Sequence, residues 1–205
     1  QQSEFDLGTL GYSQTTINFD VTTQMDMEGF AGPVSLAMGA EMRMENYTIE
    51  AGEEAGYADG GFDVLDGPNA GASAAVGCQC LPGLAPNNEQ DRDRDAFSVY
   101  VDAEADVLDN LLVNVALRTE NYSDFGQTTN GKVAMRYELQ DGVAARGSFS
   151  TGFRAPALQE AYFSSIATNF IDGIPYEVGT FPVDTEPARA LGAQDLEPET
   201  STNLS

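Results

Sequence analysis

The sequence contains no histidine, and its nine lysines and arginines stand against 33 aspartates and glutamates, a formal net charge of -24. Without imidazole, His-based catalytic triads and imidazole metal sites are excluded from this segment, and a haem receptor with ligands here is disfavoured. Nine dispersed cations cannot assemble the basic patch that phosphate binding needs, so no nucleic acid is expected as a partner. Long hydrophobic runs are also lacking. No stretch reaches the roughly 18 apolar residues of a transmembrane helix. The opening Gln1-Gln-Ser-Glu-Phe-Asp6 has neither a basic nor an apolar region, so no signal peptide is read there. Cysteine is scarce: Cys78 and Cys80 are the only two, with Gln79 between them. An oxidising exterior favours disulfides, but closing a ring across one residue is strained. A local bridge, two thiols and a partner outside the segment all stay open. Two thiolates do not complete a zinc site, and no cofactor or metal is expected.

What the sequence does have is alternation. The 205 residues are 41% hydrophobic with a mean hydropathy of -0.27, values that suit globular domains and equally suit membrane barrels, whose strands alternate lipid-facing and lumen-facing side chains. In residues 16–27, Ile17, Phe19, Val21, Met25 and Met27 oppose Asn18, Asp20, Gln24 and Asp26. In 34–45, Val34, Leu36, Met38, Met42 and Met44 oppose Glu41, Arg43 and Glu45. The same split recurs with Phe97, Val99, Val101 and Val107 against Ser98, Asp102, Glu104 and Asp106, then with Leu111, Val113, Val115 and Leu117 against Asn114, Arg118 and Glu120. It continues with Val133, Met135, Tyr137 and Leu139 against Lys132, Arg136 and Glu138, and with Val143, Ala145 and Phe149 against Arg146, Ser148 and Ser150. About six strands result, each near the ~9–11 residues that a tilted strand needs to cross a bilayer.

A soluble sandwich alternates too, so connection lengths carry the distinction. They run through residues 29–33, 51–94, 108–110, 123–130, 140–142 and 153–198, with short turns alternating with longer loops. Outer-membrane barrels segregate turns and loops in this way. Phe97, Phe149 and Phe153 lie near one end of their strands on the apolar face, as an interfacial girdle would. The two longest loops are acidic, with nine acids and two arginines in 51–95 and seven acids and two arginines in 153–198.

Several groupings could carry chemistry. Asp102, Glu104 and Asp106 share a strand face with about 7 Å between next-but-one residues, a separation that inverting glycoside hydrolysis can use. The competing reading has them lining a hydrated lumen, paired with Arg43, Arg118 or Arg136. Asn46-Tyr-Thr48 and Asn121-Tyr-Ser123 match a glycosylation sequon with little meaning in a bacterial barrel. Gly152-Phe-Arg-Ala-Pro156 lacks the glycine spacing and following Lys of a phosphate loop and reads as a strand end turning into a loop.

The stretch Arg146-Gly-Ser-Phe-Ser-Thr-Gly-Phe-Arg-Ala-Pro-Ala-Leu-Gln-Glu-Ala-Tyr162, answered by Leu196-Glu-Pro-Glu-Thr-Ser-Thr-Asn203, resembles the barrel domain of TonB-dependent outer-membrane receptors. A second block, Tyr122-Ser-Asp-Phe-Gly-Gln-Thr-Thr-Asn-Gly-Lys-Val-Ala-Met-Arg-Tyr137, resembles the same barrel two strands earlier. The resemblance implies an all-β antiparallel meander of about six to eight long strands. It would be an incomplete piece of a roughly 22-stranded transmembrane β-barrel with long extracellular loops. Residues 1–205 would then be a partial barrel domain, truncated at both ends and without plug domain or signal peptide. It further implies localisation in the outer membrane and uptake of a scarce nutrient such as a ferric siderophore. The expected partners are a small-molecule nutrient, outer-membrane lipid, and the TonB complex and plug domain through an N-terminal part. No enzymatic role is expected. Glu41, Arg43, Asp102, Glu104, Arg118, Arg136 and Arg146 are expected to face the lumen. Arg154, Tyr162, Phe163, Phe170, Tyr176 and Phe181 are expected to form ligand-binding surface in the last loop, because aromatic side chains give stacking area at little entropic cost. The other readings are a soluble or surface-exposed β-rich, adhesin-like binding module and an acidic secreted glycosidase.

Overall fold

The computed structural model describes residues 3–78, 81–172 and 174–205. A Cys78–Cys80 bridge therefore lies outside the described residues. The strands are β1 (Thr9–Met25), β2 (Val34–Glu50), β3 (Gln90–Leu108), β4 (Leu111–Tyr122), β5 (Gly126–Gln140), β6 (Val143–Arg154), β7 (Ser165–Ile171), β8 (Ile174–Thr180) and β9 (Glu199–Leu204). The first six and β9 form one open sheet in the order β1-β2-β3-β4-β5-β6-β9, and β7 pairs with β8 in a separate antiparallel hairpin. Two five-residue helices, α1 (Leu158–Tyr162) and α2 (Glu186–Ala190), flank that hairpin in sequence. No described helix is long and apolar enough to cross a membrane.

Antiparallel pairing from β3 onward converts the period-two pattern into two continuous faces. Ala103 pairs with Val115, Val115 with Val133, Val133 with Phe149, and Phe149 with Leu204, one apolar row across five strands. One position along, Asp102, Ala116, Lys132, Ser150 and Asn203 form the matching row on the opposite face. The apolar row is not covered: Met135 is 58% exposed and Phe149 49%.

The turns gather at one end. Leu108 pairs with Leu111 and Gln140 with Val143, and the Ala31 N–H donates to the Asp106 carbonyl at 2.8 Å, which brings the 26–33 connection to the same end. At the other end Tyr122 pairs with Gly126 and Arg154 with Glu199.

Two expectations are corrected. The strands β1 to β6 run 12 to 19 residues rather than 9–11, because polar and glycine-containing flanks such as Gly126-Gln-Thr-Thr-Asn130 continue the ladder although they show no alternation. For the same reason the intermediate loop expected at 123–130 is only the turn 123–125. The last long loop carries α1, β7, β8 and α2.

The chain divides into two units. The sheet unit comprises Gln14–Glu45, Arg94–Pro156 and Glu197–Ser205. Here Tyr100 lies over Gly39 of the neighbouring strand and its hydroxyl donates to Asp20 at 2.7 Å. One aromatic ring thereby links β1, β2 and β3, and the missing side chain at Gly39 makes room for it. The loop unit comprises Gln1–Ser13, Asn46–Asp93 and Ala157–Leu196. It has a core of its own, with Ile49 1% and Leu158 2% exposed beside Tyr47 and Leu84. Burying each of the two aliphatic side chains contributes roughly 1.5–3 kcal/mol. A buried bond from Asn88 Nδ2 to Ser164 Oγ, 2.9 Å, fastens the segment after α1. Gly77 has φ +68°, and a Cβ there would stand 2.1 Å from the Gly56 carbonyl oxygen, so no other residue fits this backbone crossing.

A leucine at Gly39 would meet Tyr100 at 2.6 Å and the Phe19 carbonyl at 2.7 Å with its first side-chain atom alone. Gly39→Leu is expected to cost about 1–3 kcal/mol, read as a lower urea midpoint of the folded barrel. The loss should shrink in a Tyr100→Ala background, which removes one of the three obstructions, the others being Asp20 Oδ1 at 2.5 Å and the Phe19 carbonyl. Equal losses in both backgrounds would show that the ring does not depend on the glycine.

Candidate functional site

The polar face of the sheet is organised by short hydrogen bonds and ion pairs within strands and between them. Asn114 Nδ2 donates to Asp102 at 2.7 Å. That replaces the expected arginine pairing of Asp102: Asn114 and Arg118 are its two diagonal neighbours on β4, and the hydrogen bond forms to Asn114. Glu41 accepts from Arg43 at 2.8 Å and lies 3.3 Å from Arg118, which also donates to Glu120. Glu120 in turn accepts from the Tyr122 hydroxyl at 2.8 Å. This Glu41-Arg43-Arg118-Glu120-Tyr122 chain spans β2 and β4 and fixes the arginines that sequence alone leaves free. A groove of about 460 Å³ crosses β3 to β6, with Tyr100, Asp102, Arg118, Asn130, Lys132 and Ser150 among its lining residues. Further along, Arg136 and Arg146 are direct register partners, while Arg136 also reaches Glu138 at 3.3 Å. Like charges directly opposite one another destabilise a sheet. This pair therefore favours a negative group in front of it.

In the loop unit the expected binding residues divide. Phe163 and Tyr162 pack against the buried core, and Arg92 sits 4.6 Å over the Tyr162 ring while its Nη2 lies 3.3 Å from Asp184. Phe170, Tyr176 and Phe181 are instead exposed. Register puts Phe170 with Pro175 on one face of the hairpin and Asn169 with Tyr176 on the other. The Phe181 ring covers Gly179. Arg154, in the sheet unit, grips Glu199 through two bonds of 3.1 and 3.2 Å. Both side chains are largely exposed, so this pair contributes little to stability.

Sequence reasoning missed Arg94. Its side chain is 4% exposed. It donates to Asp124 and to the Pro156 carbonyl at 2.8 and 2.7 Å, and Glu45 lies at 3.8 Å. Tyr122 and Phe125 stack at 4.3 Å beside it, and Phe153 packs edge-on against Tyr122. Phe153, expected in an interfacial girdle, is thus part of a ring cluster with Tyr122 and Phe125. The pairing of β6 with β9 is continuous from Phe149 to Arg154, so Phe153 keeps the strand parity of Phe149 and meets these rings beyond the end of its pairing with β5 at Lys132 and Ser150. Arg94 is thus the fastener of the Gly152-Phe-Arg-Ala-Pro156 turn. Its partners are far apart in sequence, and no local signal marks it.

The family model described as "TonB dependent receptor-like, beta-barrel" matches residues 2–205. No curated protein sequence matches the chain. Among solved structures it is similar to the siderophore receptor PirA from Acinetobacter baumannii, with 16% identity and a TM-score of 0.59 over 95% of this chain and 24% of that one. It is also similar to the ferric enterobactin receptor PfeA, with 11% identity and a TM-score of 0.52 over 77% of this chain and 20% of that one. The likeness at these identities is one of fold, and this chain spans about a quarter or less of either receptor.

Removing the Arg94 guanidinium takes the buried cation from Asp124 and the donor from the Pro156 carbonyl. Arg94→Met is therefore expected to destabilise by about 3 kcal/mol or more. Arg94→Lys should recover only part of this because it lacks the fork that reaches Asp124 and Pro156 together. Denaturation midpoints of the three proteins give the test. An unchanged midpoint for Arg94→Met would contradict the assignment.

Proposed function

The chain belongs to the TonB dependent receptor-like, beta-barrel family, and from that premise we propose that it is a sector of the wall of an outer-membrane barrel that imports a scarce nutrient. The observation carrying this reading is the pair of opposed rows on the same strands, Ala103, Val115, Val133, Phe149 and Leu204 against Asp102, Ala116, Lys132, Ser150 and Asn203. An exposed apolar row of this length is an aggregation liability in water and a lipid-facing surface in a bilayer. An open sheet edge is not tolerated in hydrocarbon, so the sector closes with further strands of the same barrel.

In this reading the polar face lines the interior, where Glu41, Arg43, Asp102, Glu104, Arg118, Arg136 and Arg146 meet the plug domain and passing cargo. The Arg136–Arg146 pair supplies positive charge for a carboxylate of either. The long loop of residues 153–198 is read as extracellular. Within it Phe170, Tyr176 and Phe181 offer exposed binding surface for the nutrient, while Tyr162 and Phe163 hold the loop together; Arg154, at the end of β6, is a separate candidate contact. The names of the similar solved receptors favour a ferric siderophore as the nutrient class. Energy comes from the TonB complex acting through the plug. The work is binding and gated passage, without covalent chemistry.

Neighbouring residues of β4 test the membrane assignment. Val115→Arg places a cation in hydrocarbon at about 2–4 kcal/mol near the midplane, whereas Ala116→Arg places it beside Asp102 on the polar face. Insertion of the whole receptor, followed by its heat-modifiable migration, should fall for the first variant and persist for the second; equal yields would defeat the assignment. Transport has a separate readout. Replacing residues 165–180 by a short Gly-Ser link keeps Leu158 and the Asn88–Ser164 bond, so the barrel should still insert but lose siderophore-dependent growth under iron limitation. Growth that persists in a host without TonB would refute energised uptake.

A further inference from the structure

We infer that the loop unit contains a second binding site, a cleft between the β7–β8 hairpin and the residues 56–59, 75–76 and 81–87, that takes a small amphipathic organic cation. The cleft has two parts. One, of about 370 Å³, is lined by Tyr57, Asp59, Asn87, Ile166, Thr168 and Glu177 together with Val76 and Pro82. The other, of about 210 Å³, shares Val76, Pro82 and Thr168 and continues to Leu81, Ala167 and Phe170. The larger part alone falls in the range of roughly 300–1,000 Å³ typical of small-molecule pockets.

The charge and hydrogen-bonding capacity of the walls define the ligand. Two carboxylates and no lysine or arginine line the first part. Each carboxylate is oriented by one bond, Glu177 by the Thr168 hydroxyl at 2.6 Å and Asp59 by the Gly61 N–H at 2.9 Å. An ionised carboxylate accepts more than one such bond, so both retain capacity for an incoming donor. Several backbone donors of the wall, by contrast, are already used. The Val76 N–H donates to Thr168 Oγ1, Ala85 to Asn88 Oδ1, Gly83 to the Gly56 carbonyl, and Tyr57 to the Glu54 carbonyl. Pro82 has none. Among the described lining residues an anion would find no cation, only the neutral Asn87 amide and Tyr57 hydroxyl as side-chain donors, and two carboxylates to repel it. An ammonium group would find two carboxylates, and an apolar tail would find Leu81, Pro82 and the exposed Phe170 ring at the other end. The reading does not depend on transport: it concerns binding to the loops, whatever the barrel carries.

Phenethylammonium chloride matches this polarity and is the probe, with neutral 2-phenylethanol and anionic phenylacetate as isosteric controls. Saturation-transfer NMR titrations on the intact receptor in detergent, without TonB, should show saturable binding of the ammonium. The alcohol should bind about tenfold more weakly, in keeping with the strength of charge-assisted bonds, and phenylacetate should not bind. Glu177→Gln, which can keep the Thr168 bond, and Asp59→Asn should each weaken the ammonium about five- to tenfold. Phe170→Ala should weaken ammonium and alcohol alike. If Glu177→Gln fails to fold, Asp59→Asn carries the charge test alone. Equal binding of all three probes, absence of saturation, or unchanged affinity in a folded carboxylate variant would overturn the inference. Siderophore-dependent growth is a different readout, so failure here leaves the transport reading standing.

Discussion

Every backbone polar group of a sheet must find a partner in the next strand, and pairing without slippage is what the rest of this architecture depends on. A single-residue slip would exchange the two faces of a strand. From β3 to β9 the register is continuous along the row through Ala103, Val115, Val133, Phe149 and Leu204. The irregularities sit at the turn ends, between Asp106 and Leu108 and between Glu138 and Gln140. Because bulges fall there, the central rows keep their parity. The Arg118 network and the apolar row can then coexist on strands only one side chain thick.

Electrostatics follow from the same geometry. A chain with a formal net charge of -24 places four of its nine cations, Arg118, Lys132, Arg136 and Arg146, on one face of three adjacent strands. Overall acidity therefore does not describe that surface. Local charge is set by which parity a cation occupies, and one of these cations, Arg118, is committed to Glu41 and Glu120, while the Arg136–Arg146 pair retains an excess of positive charge.

How much of this could be read from the residues varied with the kind of interaction. Alternation exposed the strands wherever valine, methionine and leucine recur at every second position, as in Leu111–Tyr122 and Val143–Arg154, and it assigned Val99, Val115 and Met135 to the face opposite Asp102 and Arg118. It did not reveal the extension of β5 through Gly126-Gln-Thr-Thr-Asn130, where both faces are polar, nor the start of β1 at Thr9. The candidate site was less visible. Aromatic content marked the last loop as structured surface, but whether a ring is core, like Phe163, or exposed, like Tyr176, is decided by which partners reach it across the fold. Arg94 and the carboxylates of the cleft depend wholly on such distant contacts.

The core of the loop unit joins Ile49 at the end of β2 to Leu158 at the start of α1, residues separated by 109 positions in the chain. Contacts of such separation carry a large loop-closure entropy and form slowly. The intervening hairpins, whose partners are neighbours in sequence, have no such delay. The kinetic order that results is hairpins first and loop core last. During folding, the loop unit would therefore be the final part to acquire its shape, and destabilising substitutions at Ile49 or Leu158 would accelerate its opening while leaving the rate of strand pairing almost untouched.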